Sequence, residues 1–424
     1  MKRPLRPGTA AGEPKASMPP GPPSAAASGS GPAGALSDAS AALSRGDFLP
    51  FHRPTLGVDE EAAVIEVLRS GWLTTGARAK AFEAAFAQLI GVNHALAMSS
   101  CTAALHLALK LLDLKPGDEV LVPTTTFAAT ANVVVHLGAR PIFCDIDPVT
   151  LTLDPAEVRA RITPRTRALI PVHLGGYPCA MPELNDLAAR HELGLVEDAA
   201  HAIETEIAGR HAGAHGVFGA FSFYPTKSIT TGEGGMLTTQ RADLAERARR
   251  LALHGLSNDA WQRYAREGSP HYEVMEPGYK YNLSDLQAAL GLVQLKRLEV
   301  FYAARRRLAL AYADGLRGLP VTWQPLEVPG GKVAHHLFIL LLDPSVGVRR
   351  DDLARALVER QVGTSIHFRP LHLMPFYAKT YGYRPGDLPH AESVYARSLS
   401  LPLYPAMTID DVGYVIEQLR ELLT

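Results

Sequence analysis

A chain of 424 residues and 45.6 kDa is too long for one simple core and divides into two or three units at roughly 150 residues each. Its 42 Lys and Arg against 43 Asp and Glu exclude the basic excess of a dedicated nucleic-acid binder. With 47% hydrophobic residues, its longest purely aliphatic or aromatic run, Leu337–Leu342, falls far short of the roughly 18 residues that cross a bilayer, so no membrane span is expected.

Residues 1–46 are rich in Pro, Gly, Ala and Ser and lack the large apolar side chains that offset ordering entropy, which predicts a disordered tail. Inside it Gly29-Ser-Gly-Pro-Ala-Gly34 spells a dinucleotide fingerprint, but no strand precedes it and Pro32 interrupts it, so no nucleotide site is expected there. Lys2, Arg3 and Arg6 are followed by no apolar run of a secretory signal. Cys101, Cys144 and Cys179 are too widely spaced for a disulfide framework or a zinc ribbon. A soluble, cytoplasmic protein is the expectation.

From Asp59 onward apolar residues recur at helical spacing (Ala62, Ile65, Val67, Leu68, then Phe82, Ala85, Phe86, Leu89), predicting two amphipathic helices before His94. Short β-branched runs follow at Glu119–Pro123, Pro141–Asp145, Ala168–His173 and Gly194–Asp198, alternating with helical stretches at Ala128–Leu137 and Met181–His191. That alternation predicts an α/β fold with a large, mainly parallel sheet covered by helices. Residues from Asn282 to about Leu316 read as one long helix. The terminal part reads as one apolar strand, His336–Leu342, with helices near Arg350–Arg360 and Thr408–Leu423, a smaller α/β layer. The expected division is a tail at 1–46, a large domain at 47–329 and a small C-terminal domain at 330–424.

The most informative stretch is Val217–Gly235, an apolar strand running directly into Lys227, which is flanked by Pro225, Thr226 and a Gly-rich turn. Asp198 ends the run Gly194-Leu-Val-Glu-Asp at the carboxyl edge, where open α/β sheets bind ligands, although a strand-end carboxylate also serves as a helix cap. Met98-Ser-Ser-Cys-Thr opens a helix whose free N–H groups and positive dipole end suit a phosphate; N-capping by Ser100 or Thr102 is the competing account. Phe127 offers a face to a flat ring, or a core side chain. Amine, carboxylate, anion cradle and aromatic together match the needs of pyridoxal 5′-phosphate.

These residues, with Ser100-Cys-Thr-Ala-Ala-Leu, Val122–Asn132, Glu197-Asp-Ala-Ala-His, Phe221–Lys227, Gly232-Glu-Gly-Gly and Leu399–Pro405, make the chain resemble the DegT/DnrJ/EryC1/StrS sugar aminotransferases from about residue 47 to its end. The resemblance implies the fold-type I, aspartate-aminotransferase-like architecture and a homodimer with active sites at the subunit boundary. It implies Lys227 as the internal-aldimine lysine, Asp198 as the pyridinium partner, Ser222, Cys101 and Thr102 as phosphate holders, Phe127 as the stacking face and His201 near the pyridoxal hydroxyl. Asn282, rather than Lys280, is expected to reach the neighbouring subunit's phosphate, and His367 or Arg369 to meet the amino donor's carboxylate. The implied reaction is ping-pong transfer of an amino group from L-glutamate to a keto sugar on a nucleoside diphosphate, for lipopolysaccharide, glycan or secondary-metabolite synthesis. Leu253–Trp261, Pro277–Asp285 and Gly363–His372 look most like the branch that aminates the 4-keto pentose of a UDP sugar.

Three other readings compete. Pyridoxamine-dependent sugar dehydratases of the same family carry His where this chain has Lys227. A non-catalytic sugar-nucleotide sensor would have no need of Lys227 and Asp198. Metal hydrolysis would rest on His335, His336, His367 and His372, whose spacing fits no zinc pattern, so no metal is expected.

Overall fold

The computed structural model describes residues 47–257 and 271–424. The tail predicted for 1–46, and Asn258–Trp261 of the branch motif, lie outside the described residues. Seven strands make the large sheet: β1 (His94–Met98), β2 (Glu119–Pro123), β3 (Arg140–Cys144), β4 (Thr166–Leu169), β5 (Gly194–Asp198), β8 (Phe218–Ser222) and β9 (Gly235–Thr239). Between β5 and β8 lies a small hairpin of β6 (Glu206–Ile207) and β7 (Arg210–His211). The order across the large sheet is β1-β9-β8-β5-β4-β2-β3, and only β9 runs antiparallel to its neighbours.

Because side chains alternate across each strand, the sheet buries two faces. Met98, Val120, Val196, Phe218 and Leu237 pack under helices Cys101–Leu111, Ala128–His136 and Ala242–Ala252. On the other face Ala97, Phe221, Phe223 and Met236 meet helix Ala77–Ile90 through Phe82 and Phe86. Leu121, Leu169 and Leu195 meet helix Met181–Arg190.

The two helices expected before His94 are present at Val58–Ser70 and Ala77–Ile90. The single long helix expected from Asn282 is instead two, Asp285–Lys296 and Leu298–Gly315, divided at Arg297. Ser284 and Gln287 form the capping box that starts the first, which places Asn282 before it in extended chain. The terminal part carries more sheet than its composition shows: β10 (Val321–Trp323), β11 (Phe338–Leu342) and β12 (Ser398–Leu401) form an antiparallel three-stranded sheet in that order. Helices Leu298–Gly315, Arg350–Glu359 and Ile409–Leu423 cover it through Leu308, Tyr312, Leu357, Val415 and Leu419.

Candidate active site

The carboxyl ends of β1, β2, β5 and β8 all point to one edge of the large sheet, as their relative directions require. A cavity of about 530 Å³ opens there, closed on its far side by His336, Leu337, His367, Phe368, Leu401 and Leu403 from the segments around the small sheet.

β8 ends at Ser222, and the chain turns so that the Lys227 N–H donates to Tyr224 O at 2.9 Å. That turn delivers the lysine side chain into the cavity, where its Nζ has no hydrogen-bond or ion-pair partner among the described residues. Burial lowers the ammonium from 10.5 to about 8, against the pull of Cys101 and the Asp198 carboxylate. Asp198, the last residue of β5, is 5% exposed; Oδ2 accepts from Thr130 Oγ1 at 2.8 Å and Oδ1 from the Ala200 N–H at 3.2 Å. Burial nevertheless raises its pKa, so the site holds a carboxylate that gains from a facing cation.

Helix Cys101–Leu111 begins at the same edge. Its cap, Ser100, accepts from the Ala103 N–H at 3.1 Å, leaving the Cys101 and Thr102 N–H groups without partners among the described residues. Gly235 of β9 is in register with Met98 on one side and Ser222 on the other. A Cβ there would stand 2.4 Å from the Cys101 nitrogen, so only glycine lets the helix start come this close to Ser222.

His201 is the neutral tautomer with its proton on Nε2, because Nδ1 accepts the Gly175 N–H at 3.3 Å. Burial, then Lys227 and His367, hold it well below its ordinary pKa. Phe127, just before helix Ala128–His136, is 63% exposed with its ring 6.0 Å from that of Phe368. His367 also lines the cavity and pairs through Nδ1 with Ser400 Oγ at 2.8 Å.

Lys227, Asp198, His201, Ser222, Cys101, Thr102, Phe127 and His367 therefore share one cavity. Arg369 does not line it: the side chain is exposed and donates to Leu373 O at 3.1 Å. Asn282 faces a separate hollow of about 50 Å³ with Thr75, Lys80 and Arg249, and donates to Thr75 Oγ1 at 2.7 Å.

Sequence reasoning missed the lining imidazole of His52, and weighed the other, His336, only as a metal ligand. His52 donates from Nε2 to Pro225 O at 2.7 Å, and the His336 ring lies 4.3 Å from that of His201. Neither carries a local signal, since each reaches the site from a distant segment.

The sequence profile of the DegT/DnrJ/EryC1/StrS aminotransferase family matches residues 54–420. The chain belongs to this family. It is 48% identical over 381 residues to the spore coat polysaccharide biosynthesis protein SpsC of Bacillus subtilis (strain 168), covering 89% of this chain and 98% of SpsC. Among solved structures it is similar to DesI, determined in the presence of its TDP-sugar product, with a TM-score of 0.79 and 35% identity over 89% of this chain and 93% of DesI. It is also similar to Spr1654 of Streptococcus pneumoniae in its PLP form, with a TM-score of 0.82 and 29% identity over 89% of this chain and all of that one.

This aminotransferase is an enzyme of the transaminase class with the aspartate-aminotransferase-like α/β fold, and its cofactor is pyridoxal 5′-phosphate. The cavity fits that group on three counts: an amine without a partner, a buried carboxylate in need of a cation, and two open N–H groups at a helix start beside Gly235.

Proposed function

We propose that this aminotransferase moves an amino group from L-glutamate to a keto sugar carried on a nucleoside diphosphate. The observation that carries the reading is Lys227, its amine unpartnered in the cavity whose wall also holds the buried Asp198. SpsC, named for coat polysaccharide synthesis, and DesI, with its TDP-sugar product, support a sugar acceptor.

Pyridoxal 5′-phosphate supplies, when bound, a carbonyl carbon open to amines and a ring that accepts the electrons released at a substrate's α-carbon. Cys101, Thr102 and Ser222 would hold the phosphate, Phe127 would pack against the ring, and the Asp198 carboxylate would hold the ring nitrogen's proton. His201, whose Nδ1 is occupied by the Gly175 N–H, would offer its Nε2–H to the cofactor's hydroxyl. With a pKa near 8, Lys227 Nζ reaches its neutral form near physiological pH, takes a proton from one carbon and returns it to another. Glutamate leaves as its oxo acid before the keto sugar enters, so the kinetics are ping-pong. His367 is the remaining expected contact for the donor's carboxylate within the cavity.

A homodimer in which Asn282 reaches the neighbouring subunit's phosphate completes the reading, with the large domain ending near residue 329. Three free, buried cysteines suit a cytoplasmic setting, and no helix among the described residues is long and apolar enough to cross a membrane. The narrowest form of the acceptor is a UDP-linked 4-keto pentose. The test is a panel of nucleotide-linked keto sugars added to the enzyme's pyridoxamine form. Return of the aldehyde absorbance with one sugar class is expected, and no return with any of them overturns the reading.

A further inference from the structure

Arg305 is the largest fully buried side chain in the described residues, 1% exposed, and it forms no ion pair among them. It lies on the apolar stripe of helix Leu298–Gly315, between Phe301 and Leu308. Its guanidinium is spent on carbonyls: Nη1 donates to Leu403 O at 3.2 Å and His336 O at 3.4 Å, and Nη2 donates to Lys227 O at 3.4 Å. Those acceptors stand 98, 31 and 78 residues away along the chain, and the side chains of all three line the active-site cavity. The buried Glu204 carboxyl offsets part of the cost of this charge without forming a salt bridge to it, and an apolar side chain of similar volume would fill the same space without the remaining cost. What the apolar replacement cannot do is bind three backbone segments at once through one planar fork.

We infer that Arg305 is a positioning residue, fixing the backbone of Lys227 against the two segments that close the cavity and so setting where the lysine amine stands. The inference rests on the reading of Lys227 as the reactive amine. The loop is pinned on either side as well: His52 Nε2 donates to Pro225 O at 2.7 Å, and Ser228 Oγ donates to Glu204 Oε2 at 2.9 Å. Arg305 is the one contact of these three made to the lysine itself, and it joins the large sheet's loop to the segments entering β11 and leaving β12.

The test uses Arg305→Met, which removes charge and fork, and Arg305→Lys, which keeps the charge and loses the fork. The first readout needs no cofactor: in apoprotein, the pH dependence of Lys227 labelling by an amine-reactive reagent, mapped by peptide mass. In the wild type half-maximal labelling is expected near pH 8, where burial holds the amine. A loop freed from Arg305 lets water reach the amine, so in Arg305→Met the half-point rises by about one pH unit or more toward that of an ordinary lysine. Arg305→Lys shows a smaller rise.

In the loaded enzyme kcat falls by about tenfold or more in Arg305→Met, with the donor KM within about threefold of wild type, as misplacement of a reacting group requires. A folded Arg305→Met protein with unchanged labelling and kcat overturns the inference. Should Arg305→Met fail to fold, Arg305→Lys decides, and an unchanged half-point with unchanged kcat there overturns it equally. Lys227→Ala run in parallel separates the two claims: turnover surviving without the lysine refutes the underlying reading, whereas a lysine that is essential but indifferent to Arg305 refutes only the positioning role.

Discussion

Lys227 and Asp198 face one cavity under opposite demands: burial pushes the amine toward its neutral form and the carboxyl toward its protonated one. On the proposed reading, cofactor binding would resolve both, by engaging the amine and by placing a cation against the carboxylate. Lys227→Ala is expected to abolish turnover in a folded protein, and borohydride reduction of the wild type should leave an adduct on the peptide containing position 227. Wild-type rates in the variant, or no adduct there, contradict the assignment. Asp198→Asn keeps the hydrogen bond from Thr130 within reach but carries no charge, so the cofactor still binds while kcat drops by orders of magnitude. A loss under tenfold, about 1.4 kcal/mol of barrier, would argue against a role at the ring nitrogen. Both residues could be singled out in the sequence: Asp198 ends an apolar strand, and Lys227 lies in the turn that follows the strand ending at Ser222. His52 and Arg305 could not, since their contacts span long stretches of chain, although an arginine on the stripe Phe301, Leu308, Tyr312 is a signal in retrospect.

At the level of elements, Gly235 is the hinge between sheet and helix start. Gly235→Ala would put a methyl 2.4 Å from the Cys101 nitrogen and from the Ser100 carbonyl carbon, and since both are backbone, the start of helix Cys101–Leu111 must shift. Apoprotein titrated with pyridoxal 5′-phosphate should then bind at least about tenfold more weakly, roughly 1.4 kcal/mol; unchanged affinity would remove the helix start from the cofactor site. The strands that sequence reasoning found, β2 and β5 among them, carry short β-branched apolar runs, Val120–Val122 and Leu195–Val196, and are buried on both faces. β1, reading His-Ala-Leu-Ala-Met, is built from residues that favour helices, and its strand form is imposed by pairing with β9. β12, reading Ser-Leu-Ser-Leu, carries polar residues that are buried, so its composition conceals its place in the small sheet. The break at Arg297 divides two helical patterns with no proline or glycine between them, which is why they read as one.

For the whole molecule the imidazoles that burial keeps neutral dominate the response to acid, while His173, raised against its burial to about 10 beside Cys179 and Glu197, acts the other way. Burial, helped by neighbouring cations, holds His52 and His367 down to about 3 and His335 down to about 4, from 6.5. Below 6.5 the unfolded chain takes up these protons and the folded one does not, so stability falls as pH falls through that window. Each contributes about 2 kcal/mol of loss by pH 5. Glu204 works the other way: burial raises it to about 7, so its contribution falls as pH rises from 4.5 and recovers in acid, offsetting part of the loss. The apoprotein's denaturant midpoint should therefore drop between pH 7 and pH 5, above the range in which ordinary carboxylates titrate, and a flat profile contradicts the sign. The lone reversed strand, β9, also governs how the chain is born. β1 has no partner in the large sheet until Gly235–Thr239 emerges, about 140 residues later, a delay on the order of ten seconds at ribosomal speed. Through that interval the edge of β1 that β9 later covers has no strand to pair with, so the large sheet closes on that side only after most of its other strands have been made.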